Sequence, residues 1–323
     1  NPHESPGDWT ELAGDARLGF VPIPPRTQWD SFPKLVDIFP WQQPGVKVNR
    51  AWPYATTKEV LRRRWDSLLE DPNSATRAEK FVTPSSGRNI FTQVSGLQKI
   101  SELLPGAAPR SIVRYAARPF DQQWIFDDPR LINLERPALW ASLSVQQFFM
   151  CSMNTSPLGP GPAVTVAVAP PDLHYFRGSY GGKDVIPLYR DAAGAPNLPA
   201  GLLDTLTMAY EYDVVPEDIA AYVFGVLAQP GFYERFSTEL EVPGARVPFT
   251  KDPSLFAEVR DVGAELIYAQ TFGARAIGHA AHDDFANRQG IAWSQGVTHL
   301  PGEFEISYDE ETETLNVADG TVS

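Results

Sequence analysis

Residues 111–126 read SIVRYAARPFDQQWIF, and β-branched and aromatic residues stand on both sides of Pro119. Proline has no backbone N–H, so Pro119 cannot lie in the middle of a paired β-ladder. The segment therefore predicts a strand, a sharp corner at Arg118–Asp121 and a second strand.

Four polar side chains on this hairpin, Arg114, Arg118, Gln122 and Gln123, suit the reading of nucleic acid. Arg114 and the two glutamines are the stronger candidates for base contacts. Arg118 has a second interpretation, because a pair with Asp121 or a neighbouring carboxylate would lock the corner.

The chain changes its charge along its length. Its formal net charge is −13, yet residues 47–118 carry 13 Lys and Arg against 6 Asp and Glu. Residues 151–323 carry 9 against 24. An acidic domain is repelled by DNA at long range, but a local basic face can still dock. We therefore expect any nucleic-acid interface before and within the hairpin.

Several segments outside the hairpin extend this basic region. Residues 57–69 (TKEVLRRRWDSLL) predict an amphipathic helix whose three consecutive arginines span about 200°, so that at least one or two face solvent. A solvated helix face explains these arginines as well as a phosphate-binding one does. Loops 83–89 (TPSSGRN) and 177–183 (RGSYGGK) offer further donors. Beyond the hairpin, the candidate DNA contacts are Lys47, Arg50, Arg62, Arg63, Arg64, Arg77, Lys80, Arg88, Asn89, Arg177 and Lys183.

The remaining pattern predicts an α+β fold, with a mixed β-sheet core and flanking helices. Strands are expected at 45–54, 142–151, 163–169 and 185–189, and an acidic-tipped hairpin at 304–317. Helices are expected at 75–81, 202–210, 216–229, 231–240 and 253–272. We divide the chain into a helical, locally basic part at 1–110 and a mixed sheet and helical part at 111–323.

The residues show no catalytic or metal-binding motif. His279 and His282 lack the spacing of a two-histidine zinc helix, and Cys151, the single cysteine, excludes a disulfide framework. Asp172 and His174 could form part of a hydrolytic triad, but no serine elbow accompanies them. Without a membrane span or a signal-peptide pattern, a cytoplasmic location is expected.

Four segments resemble one family. YAARPFDQQWIF (115–126) is similar to a signature that follows the methyltransferase core in type ISP restriction–modification enzymes and related phage-defence methyltransferases. PWQQPGVKVNR (40–50), VIPLYR (185–190) followed by Asn197, and 216–249 resemble other segments of the same region. Gln123 departs from the usual arginine of the signature, and Glu234 stands where a tyrosine–arginine pair is common.

The resemblance implies a target recognition domain that reads duplex DNA and directs an N6-adenine methyltransferase and a restriction activity. It also implies that the chain is part of a longer polypeptide and is not catalytic by itself. S-adenosylmethionine would then bind the methyltransferase domain of that polypeptide, with no cofactor in this chain. Two rivals stay open, a coupling module whose acidic face binds a basic partner and a hydrolase that uses Asp172 and His174.

Overall fold

A computed structural model describes residues 28–81, 87–152, 164–176 and 184–278, together with 293–295, 306–309, 312, 314–317 and 320–322. It confirms the predicted α+β class. The helices are α1 (Leu35–Ile38), α2 (Lys58–Glu70), α3 (Ser74–Lys80), α4 (Pro137–Ala141), α5 (Leu202–Tyr210), α6 (Pro216–Ala228), α7 (Pro230–Arg235) and α8 (Pro253–Gln270). The strands are β1 (Tyr54–Ala55), β2 (Ile112–Arg118), β3 (Asp121–Phe126), β4 (Phe149–Ser152), β5 (Val164–Ala167), β6 (Asp184–Pro187), β7 (Trp293–Gln295), β8 (Ile306–Asp309), β9 (Thr314–Val317) and β10 (Gly320–Val322).

The predicted hairpin forms two of the three strands of the first sheet. β2 and β3 pair antiparallel, and β1 adds to the other edge of β3, so the strand order is β1-β3-β2. The register shifts between Ala116 and Arg118, which is a β-bulge near the corner. A bulge increases the local twist and changes the direction in which nearby side chains point.

Helix α2 packs on one side of this hairpin, as its apolar spacing predicts. The Thr57 side chain accepts a hydrogen bond from the Val60 N–H and caps the helix. Leu61, Trp65 and their apolar neighbours are buried in one cluster with Phe126 of β3. The burial of these side chains fixes α2 against the strand, so the orientation of its three arginines is also fixed.

A second sheet, with the order β5-β4-β6, supports the largest hydrophobic core. Helices α6 and α8 pack against each other and on β5. The two helices approach closely because Gly263 of α8 faces the backbone of α6. A Cβ atom on Gly263 would lie 1.8 Å from the carbonyl oxygen of Ala221. Asn197, fully buried, joins this sheet to residue 41 by accepting from the Trp41 N–H and donating to the Trp41 and Pro187 carbonyls.

The two sheets are linked through the segment 170–172. The amide of Ala116 in β2 donates to the Pro170 carbonyl at 3.2 Å, and the Asp172 amide donates to the Ala116 carbonyl at 2.9 Å. Val46 forms a parallel bridge with Asp172. This junction places Asp172, which lies far from the hairpin in sequence, directly beside it.

Some predicted elements have different limits. The strand expected at 142–151 begins only at Phe149, because α4 ends at Ala141 and residues 142–148 are irregular apart from a turn and a bend. The strand expected at 45–54 is reduced to isolated bridges and β1, and the helix expected at 231–240 ends at Arg235. The predicted acidic-tipped hairpin is β8–β9, which forms part of a sheet with the order β7-β10-β9-β8. Among the helices that the structure describes, none has the length and apolar character needed to cross a bilayer.

Candidate nucleic-acid interface

The hairpin corner is a tight turn that exposes an aromatic ring. Arg118 pairs with Asp121, which leaves Pro119 and Phe120 as the two turn residues. Phe120 has a φ of 63° and is 59% exposed. A proline followed by a residue with positive φ is the pattern of a type II turn, whose second central position ordinarily holds glycine or asparagine. Phenylalanine there is strained by about 1–2 kcal/mol.

A buried carboxylate holds the base of this corner. Asp172 is 5% exposed and accepts hydrogen bonds from the Tyr115 hydroxyl, from Arg118 Nη1 at 3.4 Å and from the His174 amide at 2.7 Å. Burial, reinforced by Asp172, raises the pKa of Tyr115 well above its ordinary value, so its hydroxyl stays a donor. The predicted structural partner of Arg118 is therefore a neighbouring carboxylate, Asp172, while Asp121 accepts from Gln123 Nε2 at 2.5 Å.

A cleft of about 310 Å³ opens beside the corner. Its lining includes Asn49, Arg50, Tyr54, Arg118, Asp172 and His174. Arg50 donates to the carbonyl of Arg88 and lies 4.3 Å from the ring centroid of Phe81. Burial lowers the pKa of Arg50 to about 10, and among the residues that the structure describes its Nε and Nη1 find no acceptor. The cleft therefore contains a desolvated cation.

Arg114 projects from β2 onto the neighbouring strand. Its guanidinium carbon lies 4.0 Å from the ring centroid of Trp124, its cross-strand partner, and Lys58 Nζ lies 4.1 Å from the same ring. Arg114 is exposed. Contact with the indole orients the guanidinium but leaves its N–H groups free to donate. Our sequence reasoning missed Lys58, whose only signal was its place one residue after a helix cap.

The three arginines of α2 have three different environments. Arg62 is exposed and pairs with Glu59 at 3.1 Å, while Arg63 is exposed without an ion pair to any described residue. Arg64 is half-buried and donates through Nη1 to the carbonyls of Ala51, Trp52 and Tyr54 at 2.8–3.1 Å. The prediction that one or two of them face solvent is confirmed, and Arg64 fixes α2 to the entry of β1.

A second cleft, of about 480 Å³, lies on the α2 side of residues 50–54. Trp52, Arg63, Arg64 and Lys80 are among its lining residues. Lys80 is exposed, donates to the Ser67 carbonyl at 3.0 Å and lies 3.4 Å from an Asp71 carboxylate oxygen. The tertiary structure therefore brings predicted cations into two clefts, one on each side of the segment 50–54.

Arg77 stabilises the interior instead of lining either cleft. It is 5% exposed, and its guanidinium donates to the carbonyls of Asp71, Leu69, Leu103 and Ile100 at 2.5–3.5 Å. A side chain enclosed in this way cannot reach a phosphate. The prediction of Arg77 as a DNA contact is therefore replaced by a structural role.

The remaining candidates fall into three groups. The first group is half-buried and contacts backbone groups: Lys47, Arg88 and Asn89. Lys47 forms a β-bridge with Leu134, and Arg88 donates from Nε to the Ile132 carbonyl at 3.3 Å. The Asn89 side chain accepts from the Phe91 amide at 2.9 Å. Gln122 and Gln123 lie half-buried on β3 next to the corner. Arg177 and Lys183 lie outside the described residues, as do His279 and His282.

The bonds of Asp172 give this residue a structural role. Its oxygens already accept from Tyr115, Arg118 and the His174 backbone, which is the arrangement of a carboxylate that holds a corner together. In the described part of the chain, no group of three or more His, Cys, Asp or Glu residues is placed to hold a metal ion.

Comparison with known structures supports the fold. The chain is similar to a DrdV–DNA complex solved by cryo-electron microscopy, with 16% identity and a TM-score of 0.59 over 97% of this chain and 33% of that one. It is also similar to the ATP-dependent Type ISP restriction-modification enzyme LlaBIII bound to DNA, with 13% identity and a TM-score of 0.58 over 92% of this chain and 20% of that one. A nuclease-deletion mutant of the Type ISP enzyme LlaGI in complex with a DNA substrate mimic gives 15% identity and a TM-score of 0.56 over 98% and 25%.

The chain thus spans between 20% and 33% of the length of these structures. No curated protein matches it. The family model of the Type ISP C-terminal specificity domain matches residues 37–322, which is most of the sequence. The chain therefore belongs to the family of Type ISP C-terminal specificity domains.

Proposed function

We propose that this chain recognises a duplex DNA sequence and directs the methyltransferase and restriction activities of a larger polypeptide. The single observation that carries the proposal is the hairpin β2–β3, which places Arg114 on Trp124 and Arg118 beside a cleft, next to a helix that exposes Arg63. The three structures of similar fold are complexes with DNA or a DNA substrate mimic, and two of them are Type ISP restriction-modification enzymes, which supports the same function.

Phosphate contacts come from the cations that remain accessible. Arg63 and Lys80 line one cleft and Arg118 lines the other, and Lys58 shares the Trp124 ring with Arg114. Each phosphate neutralised by such a residue releases counterions. The logarithm of the binding constant therefore falls linearly with the logarithm of the salt concentration, by a slope of about 0.9 per contact. These contacts set the register of the duplex without reading its sequence.

Base contacts come from the hairpin itself. Arg114 keeps its donors free while Trp124 holds its plane, which suits bidentate donation to a guanine in the major groove. Gln122 and Gln123 carry the donor and acceptor pair that matches adenine. One good bidentate pair discriminates between bases by roughly 1–3 kcal/mol. We assign the methyltransferase and its S-adenosylmethionine to the rest of the larger polypeptide.

Selection from a randomised duplex library followed by fluorescence anisotropy tests the proposal. We expect the chain to enrich one site and to bind it with a steep inverse salt dependence. Arg63→Met should weaken binding to every duplex. It should also reduce the slope of log binding constant against log salt concentration by the share of about one phosphate contact. Gln122→Ala should instead change the selected sequence.

Arg235 provides the matched control for the arginine variants. It is exposed and lies 5.5 Å from the Phe236 ring centroid, but it belongs to α7, which packs on the largest hydrophobic core and not on the hairpin. Arg235→Met should leave affinity unchanged, whereas Arg114→Met should weaken binding and relax sequence preference. Equal effects of these two variants would reject the hairpin as the reading surface. A chain that enriches no duplex but captures a basic protein would favour the coupling module.

A further inference from the structure

We propose that Phe120 is a wedge that inserts its ring between two base pairs of the bound duplex. The inference rests on the proposed function and adds a contact that the charge pattern does not reveal. Phe120 is 59% exposed at the turn of the hairpin, between Arg118, which lines the first cleft, and the strand that carries the two glutamines. Apolar side chains that enter DNA in this way unstack a base step and kink the duplex.

The ring has no folded-state role in the described part of the chain. Phe120 belongs to none of the four hydrophobic clusters and to none of the ring pairs formed by described residues. Its backbone adopts a left-handed conformation that favours glycine or asparagine. A residue that is strained and exposed at the same time points to a function outside the fold.

Side-chain hydrogen bonds hold the turn on both sides of the ring. Arg118 donates to the Ala117 carbonyl and to Asp172, and the Asp121 carboxylate accepts from Gln123. Pro119 restricts the backbone torsion just before the ring. A wedge that is ordered before binding loses little conformational entropy when it enters DNA.

Phe272 provides a contrast because its similar geometry has a local explanation. It is 66% exposed with a φ of 52°, but it directly follows the C-terminus of α8. The Phe272 amide donates to the Ala269 carbonyl and the Gly273 amide to that of Tyr268, which is how helices end with a left-handed residue. Phe272 is therefore the matched control for Phe120.

The experiment places 2-aminopurine at successive positions of the duplex selected by the wild-type chain. Wild type should raise the fluorescence at one step, because the base loses its stacking partner. Phe120→Gly should abolish this rise and weaken binding by about 5- to 150-fold, the range that base stacking on an aromatic ring supplies. Phe120→Trp should keep the rise, and Phe272→Gly should behave as wild type.

Thermal unfolding separates a wedge from a structural residue. Glycine removes the strain at a positive φ, so the Tm of Phe120→Gly should stay equal to that of wild type or increase. A lower Tm would show that the ring stabilises the fold and would overturn the proposal. Unchanged fluorescence and affinity in Phe120→Gly would overturn the wedge alone, whereas a wild-type chain that binds no duplex would overturn the proposed function as well.

Discussion

Replacing Arg77 with methionine should destabilise the basic region without changing its surface. The Arg77 guanidinium donates to the carbonyls of Asp71, Leu69 and Leu103 at 2.5, 2.8 and 2.9 Å, and these acceptors lie on two separate segments, the end of α2 and the chain near residue 103. Methionine keeps the apolar stem and removes every donor. The variant therefore tests the carbonyl contacts and leaves the packing of the stem largely intact.

The size of the effect follows from these bonds. A hydrogen bond to a charged group contributes about 1.5–3 kcal/mol, so three of them would sum to at least roughly 4 kcal/mol. Removing the charge also ends its desolvation, which offsets part of the loss. We expect the free energy of unfolding to fall by about 3–5 kcal/mol, which is a large fraction of the roughly 5–15 kcal/mol of a typical domain.

Urea unfolding followed by tryptophan fluorescence measures this loss, because Trp65 and Trp52 belong to the same cluster. Arg63→Met on the neighbouring helix is the control, since Arg63 is exposed and its stability effect should stay within about 0.5 kcal/mol. In DNA binding the order should be reversed, with the larger loss in Arg63→Met and the smaller loss in Arg77→Met. A loss below about 1 kcal/mol for Arg77→Met would refute the structural assignment.

The other predictions concern the junctions of the fold. Gly263→Ala should lower the free energy of unfolding by at least about 1–3 kcal/mol, because the new Cβ would lie 1.8 Å from the Ala221 carbonyl oxygen; differential scanning calorimetry would show a lower Tm. Gly231→Ala has open space in a helix and should instead stabilise by about 0.5–1 kcal/mol, so a loss there would contradict the packing argument. Asp172→Ala should cost about 1–3 kcal/mol by leaving the buried Tyr115 hydroxyl without its acceptor, and an unchanged urea midpoint would argue against that bond.

Asp172→Asn refines the last test. The asparagine oxygen can still accept from Tyr115, but it provides no charge for Arg118. We therefore expect a smaller loss of stability than in Asp172→Ala, together with a more mobile hairpin corner visible as faster amide exchange at Arg118. Equal stability losses in the two variants would show that the charge, not the acceptor, is what matters.

The sequence by itself determined the longer helices, the hairpin of 111–126 and the family. The apolar spacing of α2 and α6, the proline corner and the four family-like segments are local signals, because they depend on helical and strand periods and on the chemistry of single residues. They were sufficient to predict α2 at 57–69 and the corner at Arg118–Asp121, which the structure bears out with a helix at Lys58–Glu70 and a turn at Pro119 and Phe120. They were also sufficient to predict an α+β specificity domain.

Only the tertiary structure decided which cations are available. Arg63 and Arg77 are alike in sequence terms, yet one faces solvent and the other is enclosed by carbonyls from segments up to 26 residues away. The partner of Arg118 is Asp172, 54 residues along the chain, because the link between the two sheets brings them together. Charge patterns count residues, whereas burial and hydrogen bonding depend on contacts between distant segments, and no local period encodes those contacts.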